Sequence, residues 1–304
     1  MASLRAATLF YTFAAVCGSD GQNDNLMLLQ TRAGKLQNAA GECAWWPTDC
    51  DDTPSLQLKT PRYSNLGGSG PDTDSPEEIA YPEAGVVDGK TVDVVVKAVG
   101  AHKAANAAMN GLKPNTALAR VNVQTGTDTS LSFSLVDSAT KQAVTSKFMA
   151  VTFFDLDEGN GGNSRTTVRM SGATDLFTHS STELTLSDDC TGATSSTKGV
   201  GKDNPTSVDS MNDLQLSRTA TFILGAGSSW SATINVAGPV MKSGRNVMFS
   251  IQPVIPCIIE GGSRCGGACP TTTTTTTTTV PSTCGNPVVF HAIPPPWHRI
   301  VGRC

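Results

Sequence analysis

Between residues 63 and 255 the chain repeatedly alternates apolar and polar residues, in short runs that end at Gly, Asn, Asp or Ser. In the run Ser130–Val136, Leu131, Phe133 and Leu135 share one side and serines occupy the other. Because successive side chains of a β-strand point to opposite faces, this period of two predicts half-buried strands. The runs predicted as strands are Thr91–Ala98, Ala119–Val123, Ser130–Val136, Phe148–Leu156, Thr166–Met170, Thr182–Leu186, Thr219–Leu224, Trp230–Val236 and Arg245–Ile251.

Helical periodicity is nearly absent from this region. Only the alanine-rich stretch His102–Asn110 is predicted as a short helix, which Gly111 would end. Many short strands joined by polar turns indicate an all-β fold, an antiparallel β-sandwich or jelly roll. We expect this domain to span residues 61–256, a length that can bury a core without help from a metal.

The N-terminus has the layout of a secretory signal peptide. Arg5 precedes a short apolar run, and small residues follow at Cys17, Gly18 and Ser19. Residues 1–18 are therefore predicted as a signal peptide, and the protein as secreted or displayed at the cell surface. No later apolar run reaches the ~20 residues of a membrane-spanning helix. Residues 19–60 lack sustained periodicity and are interpreted as a pro-segment or a disordered, disulfide-closed arm.

Cysteine usage agrees with export. Removal of Cys17 with the signal peptide leaves eight of the nine cysteines, an even number that predicts four disulfides. Proximity suggests Cys43–Cys50 and Cys284–Cys304, with two further bridges among Cys190, Cys257, Cys265 and Cys269. The alternative for Cys257, Cys265 and Cys269 is a zinc site. It is disfavoured, because no second closely spaced Cys or His pair accompanies them.

The amino-acid composition changes after the predicted domain. Residues 257–283 form a Cys- and Gly-rich segment followed by an unbroken threonine run, Thr271–Thr279. Such a run has nothing apolar to bury, and with flanking prolines it is typical of an O-glycosylated stalk. Residues 284–304 are a short tail, interpreted as part of a truncated module.

Composition restricts the partners. Charged residues make up 16% of the chain and the formal net charge is −4, without the basic stripe of a nucleic-acid-binding protein. Nucleic acid is therefore not an expected partner. No Gly-x-Ser-x-Gly or His-Glu-x-x-His motif occurs, which argues against the common serine and zinc hydrolases.

The most specific polar feature follows the predicted strand that contains Phe153. Asp155, Asp157, Glu158 and Asn160 all fall within a six-residue segment that opens a Gly- and Asn-rich loop. Calcium prefers six to eight oxygen ligands of this kind, so these four residues are predicted calcium ligands, with calcium as the cofactor. The alternative is a polar turn in which Asp and Asn side chains cap the backbone.

Two functions are compatible with this pattern. The first is a secreted or cell-surface binding or structural module with calcium-assisted contact to an extracellular or cell-wall polysaccharide. The second is a glycosidase-like hydrolase that uses Asp155 and Asp157, which would share one face of a strand and could lie close enough for retaining chemistry. Nothing else in the sequence indicates an enzyme.

Three segments carry a family resemblance: Tyr63-Ser-Asn-Leu-Gly-Gly-Ser-Gly-Pro-Asp72, Val92-Asp-Val-Val-Val96 and Val151-Thr-Phe-Phe-Asp-Leu-Asp-Glu-Gly159, together with Asp203-Asn-Pro205 and Arg218. With these, residues 63–255 resemble an extracellular β-sandwich module of secreted proteins from dinoflagellates and other unicellular algae. The resemblance implies a β-sandwich outside the cell. It implies no catalytic residues, because that family has no established activity.

Overall fold

The computed structural model describes residues 56–159, 161–199, 201, 204–208, 210–239, 243–253 and 263–265. All of them belong to one unit, bounded by Met1 and Cys269. The predicted signal peptide, most of the 19–60 arm, the threonine run and the 284–304 tail lie outside these residues. So do Asn160 and every cysteine except Cys190 and Cys265.

The described chain folds into two antiparallel β-sheets, which confirms the predicted all-β class. The first sheet has eight strands in the spatial order β1 Tyr63–Ser64, β2 Glu78–Val87, β3 Lys90–Ala98, β6 Thr127–Asp137, β13 Ser229–Ala237, β8 Arg165–Ser171, β11 Gly192–Ser195 and β10 Leu184–Leu186. The second has seven, in the order β15 Ser263–Arg264, β9 Ala173–Thr178, β12 Ala220–Leu224, β7 Met149–Phe154, β14 Gly244–Gln252, β5 Ala119–Gln124 and β4 Gly111–Leu112.

The apolar sides of the two sheets pack against each other and form a single main core. Leu131, Phe133 and Leu135 of β6 are all buried, as the alternation predicts. Phe133 meets Phe249 of the second sheet edge to face, with ring centroids 5.1 Å apart. Leu56 and Leu58 join the same core, so packing begins before the first strand. Aromatic pairs of this geometry stabilise a core beyond the area that they bury.

The two sheets differ on their outward sides. On the eight-stranded sheet, the outward side chains of the central strands are polar and partly or largely exposed. On the seven-stranded sheet, the outward Ala150 and Ile223 are buried, and the partly buried Phe148 and Phe177 pack against them. The described structure therefore presents one open sheet face, and it belongs to the eight-stranded sheet.

All nine predicted strands are present, with small shifts of their ends. The predicted helix over His102–Asn110 is wrong, because only Ala107–Met109 forms a single 3-10 turn. His102 is instead buried, with Nδ1 3.0 Å from Thr129 Oγ1. The one α-helix of the described residues, α1 (Asp213–Ser217), was not predicted.

A disulfide joins Cys190 and Cys265, in agreement with the expected pairing within the group of four central cysteines. Cys190 lies between β10 and β11 of the eight-stranded sheet, and Cys265 directly follows β15 of the other. Next to it Arg264 forms an ion pair with the buried Asp175 of β9. The disulfide thus connects an edge of one sheet to an edge of the other.

No helix in the described part of the chain is both long enough and apolar enough to cross a membrane.

Candidate functional site

The acidic loop, residues 155–159, begins where β7 ends at Phe154. Asp155 has a φ of 56°, a left-handed conformation that turns the chain out of the strand. The expectation that Asp155 and Asp157 share a strand face is therefore wrong, because both residues lie beyond the strand. Both are nevertheless buried, with exposures of 8% and 2%. Burial of two carboxylates requires cationic or hydrogen-bonding partners nearby.

Arg245 of β14 supplies the main positive charge. Its guanidinium forms an ion pair with the Asp157 carboxylate, and Nη2 also lies 3.4 Å from the Asp157 carbonyl oxygen. Burial lowers the pKa of Arg245, and the nearby Asp155 carboxylate opposes that shift. The charged guanidinium is thus held between two acidic side chains at the end of β7.

Asp155 faces two further groups. Burial lowers the pKa of Lys113, and the charge of Asp155 opposes this change. In the amide orientation that satisfies both groups, the side-chain nitrogen of Asn204 lies 3.2 Å from each Asp155 carboxylate oxygen. Asn204 belongs to the polar Asp203-Asn-Pro205 segment of the family resemblance, which here serves the acidic loop.

Glu158 connects the loop to the other sheet. Its carboxylate accepts a hydrogen bond at 3.1 Å from Nε of Arg165, the first residue of β8. Its backbone N–H donates to Thr197 at 2.7 Å, and its carbonyl accepts from Gly199 at 3.0 Å. A Cβ on Gly199 would overlap the Asp157 carboxylate, so only glycine fits there.

Arg218 contacts both the acidic loop and Glu183. Its carbonyl accepts from the Leu156 N–H at 3.0 Å, while Nε donates to Glu183 at 2.8 Å. The hydrogen bonds from Thr197 and Arg218 lower the pKa of Glu183. The acidic loop is therefore an electrostatic connection between the two sheets. Arg165 lies close to it in the sequence, whereas Arg245 comes from a distant strand.

These contacts bear on the predicted calcium site. Asp157 and Glu158 turn toward different arginines, and no three His, Cys, Asp or Glu side chains of the described residues converge as metal ligands would. The described carboxylates fit arginine pairing better than a calcium ion. Asn160, the fourth predicted ligand, lies outside the described residues, so calcium binding stays a prediction.

The predicted glycosidase pair gains no support from this geometry. A retaining glycosidase needs two carboxyl groups open to a sugar in a cleft. Asp155 and Asp157 are buried and face cationic partners instead. Two shallow grooves of the described surface are lined by other residues.

The glycine-rich segment 65–72 has a local structural role. Asn65 Oδ1 accepts from the Gly70 N–H at 3.1 Å, and its Nδ2 donates to the Ser75 carbonyl at 2.7 Å. Asp72 accepts from the Ser64 N–H at 2.6 Å. A Cβ on Gly70 would lie 1.9 Å from the Ser64 carbonyl oxygen, so the close approach requires glycine. This family-like segment fastens the start of the domain.

A second candidate site is the open face of the eight-stranded sheet. Across the adjacent strands β6, β13 and β8, the outward positions carry mostly hydroxyl groups. We call this set the hydroxyl face: Ser130, Ser132, Ser134, Thr167, Ser171, Ser229, Ser231 and Thr233. Register places Ser132 beside Ser231 and Ser231 beside Ser171, so the hydroxyls form rows across the strands.

Several of these hydroxyls contact one another. Ser132 Oγ lies 2.9 Å from Ser229 Oγ, and Ser130 Oγ lies 3.3 Å from Thr233 Oγ1. A hydroxyl has one donor and two acceptor lone pairs, so such a contact leaves further bonding capacity. The alternation in Ser130–Val136 predicts that its serines share one side of a strand. It could not show that β13 and β8 extend the row.

Comparisons with known proteins give only distant likenesses. No family model and no curated protein sequence matches this chain. Among solved structures, the N-terminal domain of the Streptococcus gordonii adhesin Sgo0707 is similar at 11% identity and a TM-score of 0.39, over 66% of this chain and 59% of that domain. The adhesin domain of PrgB from Enterococcus faecalis is similar at 10% identity and a TM-score of 0.38, over 75% of this chain and 100% of that one. At these TM-scores neither likeness bears on what this chain binds.

Proposed function

We propose that this protein is a secreted or cell-surface binding module that contacts an extracellular polysaccharide through the hydroxyl face. The observation that supports the proposal most is the run of hydroxyl side chains across three adjacent strands. On β13 all four outward positions from Ser229 to Asn235 are uncharged and polar. An exposed sheet face ordinarily includes charged residues, and here they lie on the two flanking strands, at Asp128 of β6 and at Arg165 and Arg169 of β8.

The chemistry of such a face matches that of a sugar. Ser and Thr hydroxyls both donate and accept hydrogen bonds, as sugar hydroxyls do. Their side chains are short, so they lose less rotamer freedom on binding than Lys or Arg, which lose about 2 kcal/mol each. The strands hold the hydroxyls about 4.8 Å apart, which gives an extended polymer a regular series of contacts.

The acidic loop has a supporting role in this proposal. It connects β7 and β14 to β8, the strand that carries Thr167 and Ser171, and so fixes one border of the face. Calcium, if it binds at Asp155, Asp157, Glu158 and Asn160 as predicted, would act on this border and not on the sugar. Contact with an extracellular polysaccharide requires that the protein be secreted. N-terminal sequencing of exported protein tests this, because cleavage of the signal peptide leaves a new N-terminus near residue 18.

The test is binding of the full chain to a polysaccharide array. Ser132→Glu and Ser231→Glu each place a bulky charge at the centre of the face, where the two residues are neighbours in register. We expect each to weaken the strongest array signal by about tenfold or more, the equivalent of about 1.4 kcal/mol. Ala139→Glu, which adds the same charge at an exposed turn, is the matched control.

Two results would contradict the proposal. If the wild-type chain binds no polysaccharide, the proposed ligand class is wrong. If Ser231→Glu and Ala139→Glu bind equally well, the chain binds sugar through another surface.

A further inference from the structure

A shallow groove of about 540 Å³ crosses the hydroxyl face near the end of β3. Its lining includes Val99, Ser130, Arg169, Thr191, Ser231 and Thr233. Ser130, Thr233 and Arg169 lie in one row across three strands. Val99 is 57% exposed and gives the groove an apolar patch. The groove therefore combines hydroxyls, an apolar contact and one cation.

Arg169 is held in this groove by its neighbours. Its register partner across the sheet is Gly192, and a Cβ there would lie 2.9 Å from Arg169 Cγ. The absence of a side chain on Gly192 lets Arg169 extend past the start of β11, and its Nη1 donates to Oγ1 of the preceding Thr191 at 3.3 Å. A guanidinium carries five N–H donors, and this contact uses only one of its three nitrogens.

The acidic neighbour of Arg169 is a weak competitor for an incoming anion. Asp189 lies 3.7 Å from Nη1, and both side chains are more than half exposed. Exposed ion pairs of this kind contribute little, because water screens them. The Ser187 hydroxyl and the Thr191 N–H bind the Asp189 carboxylate and lower its pKa to about 2. Asp189 thus has other partners when an anion approaches Arg169.

We propose that this groove binds an anionic substituent, a sulfate ester or a carboxylate, of the polysaccharide on the hydroxyl face. Arg169 pairs with the anion, Ser130, Ser231 and Thr233 bind adjacent sugar hydroxyls, and Val99 contacts a sugar C–H face. Arginine is suited to this role because its fork matches the oxygens of carboxylate and of similar anions. The inference rests on the proposed function and adds the charge class of the ligand.

Net charge makes the inference testable. The chain carries a formal charge of −4, so it does not attract polyanions as a whole. A preference for an anionic polysaccharide must then come from a local site. Such a preference should also weaken as salt rises, since the site is open to solvent.

The experiment compares matched polysaccharides on the array. Dextran, cellulose and agarose are each presented neutral, sulfated and carboxymethylated, and the full wild-type chain is compared with Arg169→Gln. We expect the charged form of any bound backbone to bind about tenfold tighter than its neutral form. Arg169→Gln should abolish that difference and leave binding of the neutral form unchanged. The sulfated and carboxymethylated arms distinguish the two sources of negative charge.

Lys59→Gln is the matched control, because it removes one positive charge at an exposed position outside the hydroxyl face and the acidic loop. If it weakens binding of the charged forms as much as Arg169→Gln does, the attraction is diffuse and the proposed groove site is wrong. Equal binding of neutral and charged forms also overturns the inference but leaves the proposed function standing. Absence of binding to every polysaccharide overturns the proposed function itself.

Discussion

Gly199 lies against the Asp157 carboxylate with no room for a side chain. Gly199→Ala should force the acidic loop and the 197–199 segment apart, at a cost of about 1–3 kcal/mol in unfolding free energy. Gly225→Ala is the matched control, because a Cβ there meets nothing within 4 Å. It should leave stability unchanged or raise it by about 0.4–1 kcal/mol. Urea unfolding midpoints measure both, and equal effects would contradict the described packing.

His102 illustrates how one buried residue sets a pH dependence. Burial lowers its pKa from 6.5 to about 4, so the folded state favours the neutral ring. Between these two values the unfolded state binds more protons, and the free energy of unfolding falls as pH decreases. The slope should reach about 1.4 kcal/mol per pH unit and disappear above pH ~6.5.

The measurement is urea unfolding at several pH values from 4.5 to 7.5, a window that starts just above the folded pKa of about 4. His102→Gln should lose stability at pH 7 but show a flatter pH dependence, while His179→Gln, at an exposed turn, should retain the wild-type slope. An unchanged slope in His102→Gln would show that other groups control the acid response.

At the scale of elements, the acidic loop and its arginines act as one unit. Arg245→Gln leaves the buried Asp157 without its cation and should cost about 3 kcal/mol. Arg165→Gln breaks a more exposed pair and should cost less than about 1 kcal/mol. The double variant Asp157→Asn/Arg245→Gln should be more stable than the sum of the two single losses predicts. Strict additivity would show that Asp157 and Arg245 do not stabilise each other in the folded state.

Thermal melting in millimolar calcium and in EDTA tests whether calcium binds to the acidic loop. If the arginines satisfy the carboxylates, the two melting temperatures coincide. If calcium binds, a free calcium concentration of one hundred times the dissociation constant would instead stabilise the fold by about 2.7 kcal/mol. A calcium-dependent rise that Asp157→Asn abolishes would establish the predicted calcium site and refute the interpretation as ion pairs alone.

Two of the elements that sequence reasoning missed, β2 and α1, have local physical explanations. β2 contains Pro82 and Gly85, and its register shifts between Tyr81 and Gly85, so no clean alternation exists to read. α1 has a capping box between Asn212 and Gln215 but is too short for a helical period. In the 102–110 stretch, alanine content suggested a helix, and burial of His102 prevailed over that propensity.

At the scale of the whole molecule, sequence alternation was enough to predict the fold class, because each strand needed one apolar side. The candidate sites were only partly predictable. Asp155 and Asp157 stood out as a cluster, whereas their partner Arg245 lies 88 residues from Asp157 along the chain. The hydroxyl face depends on the spatial order β6-β13-β8, in which neighbouring strands are not consecutive along the chain. Contacts of this range are determined by topology and not by local pattern.

The most direct test of the account is to locate the sugar on the protein. Chemical-shift perturbation of isotope-labelled full-length chain, titrated with an oligomer of the strongest polysaccharide from the array, reports contact residue by residue. We expect the largest shifts at Ser130–Ser134, Arg169–Ser171 and Ser229–Thr233. Shifts concentrated at residues 155–159, with the hydroxyl face unchanged, would contradict this expectation.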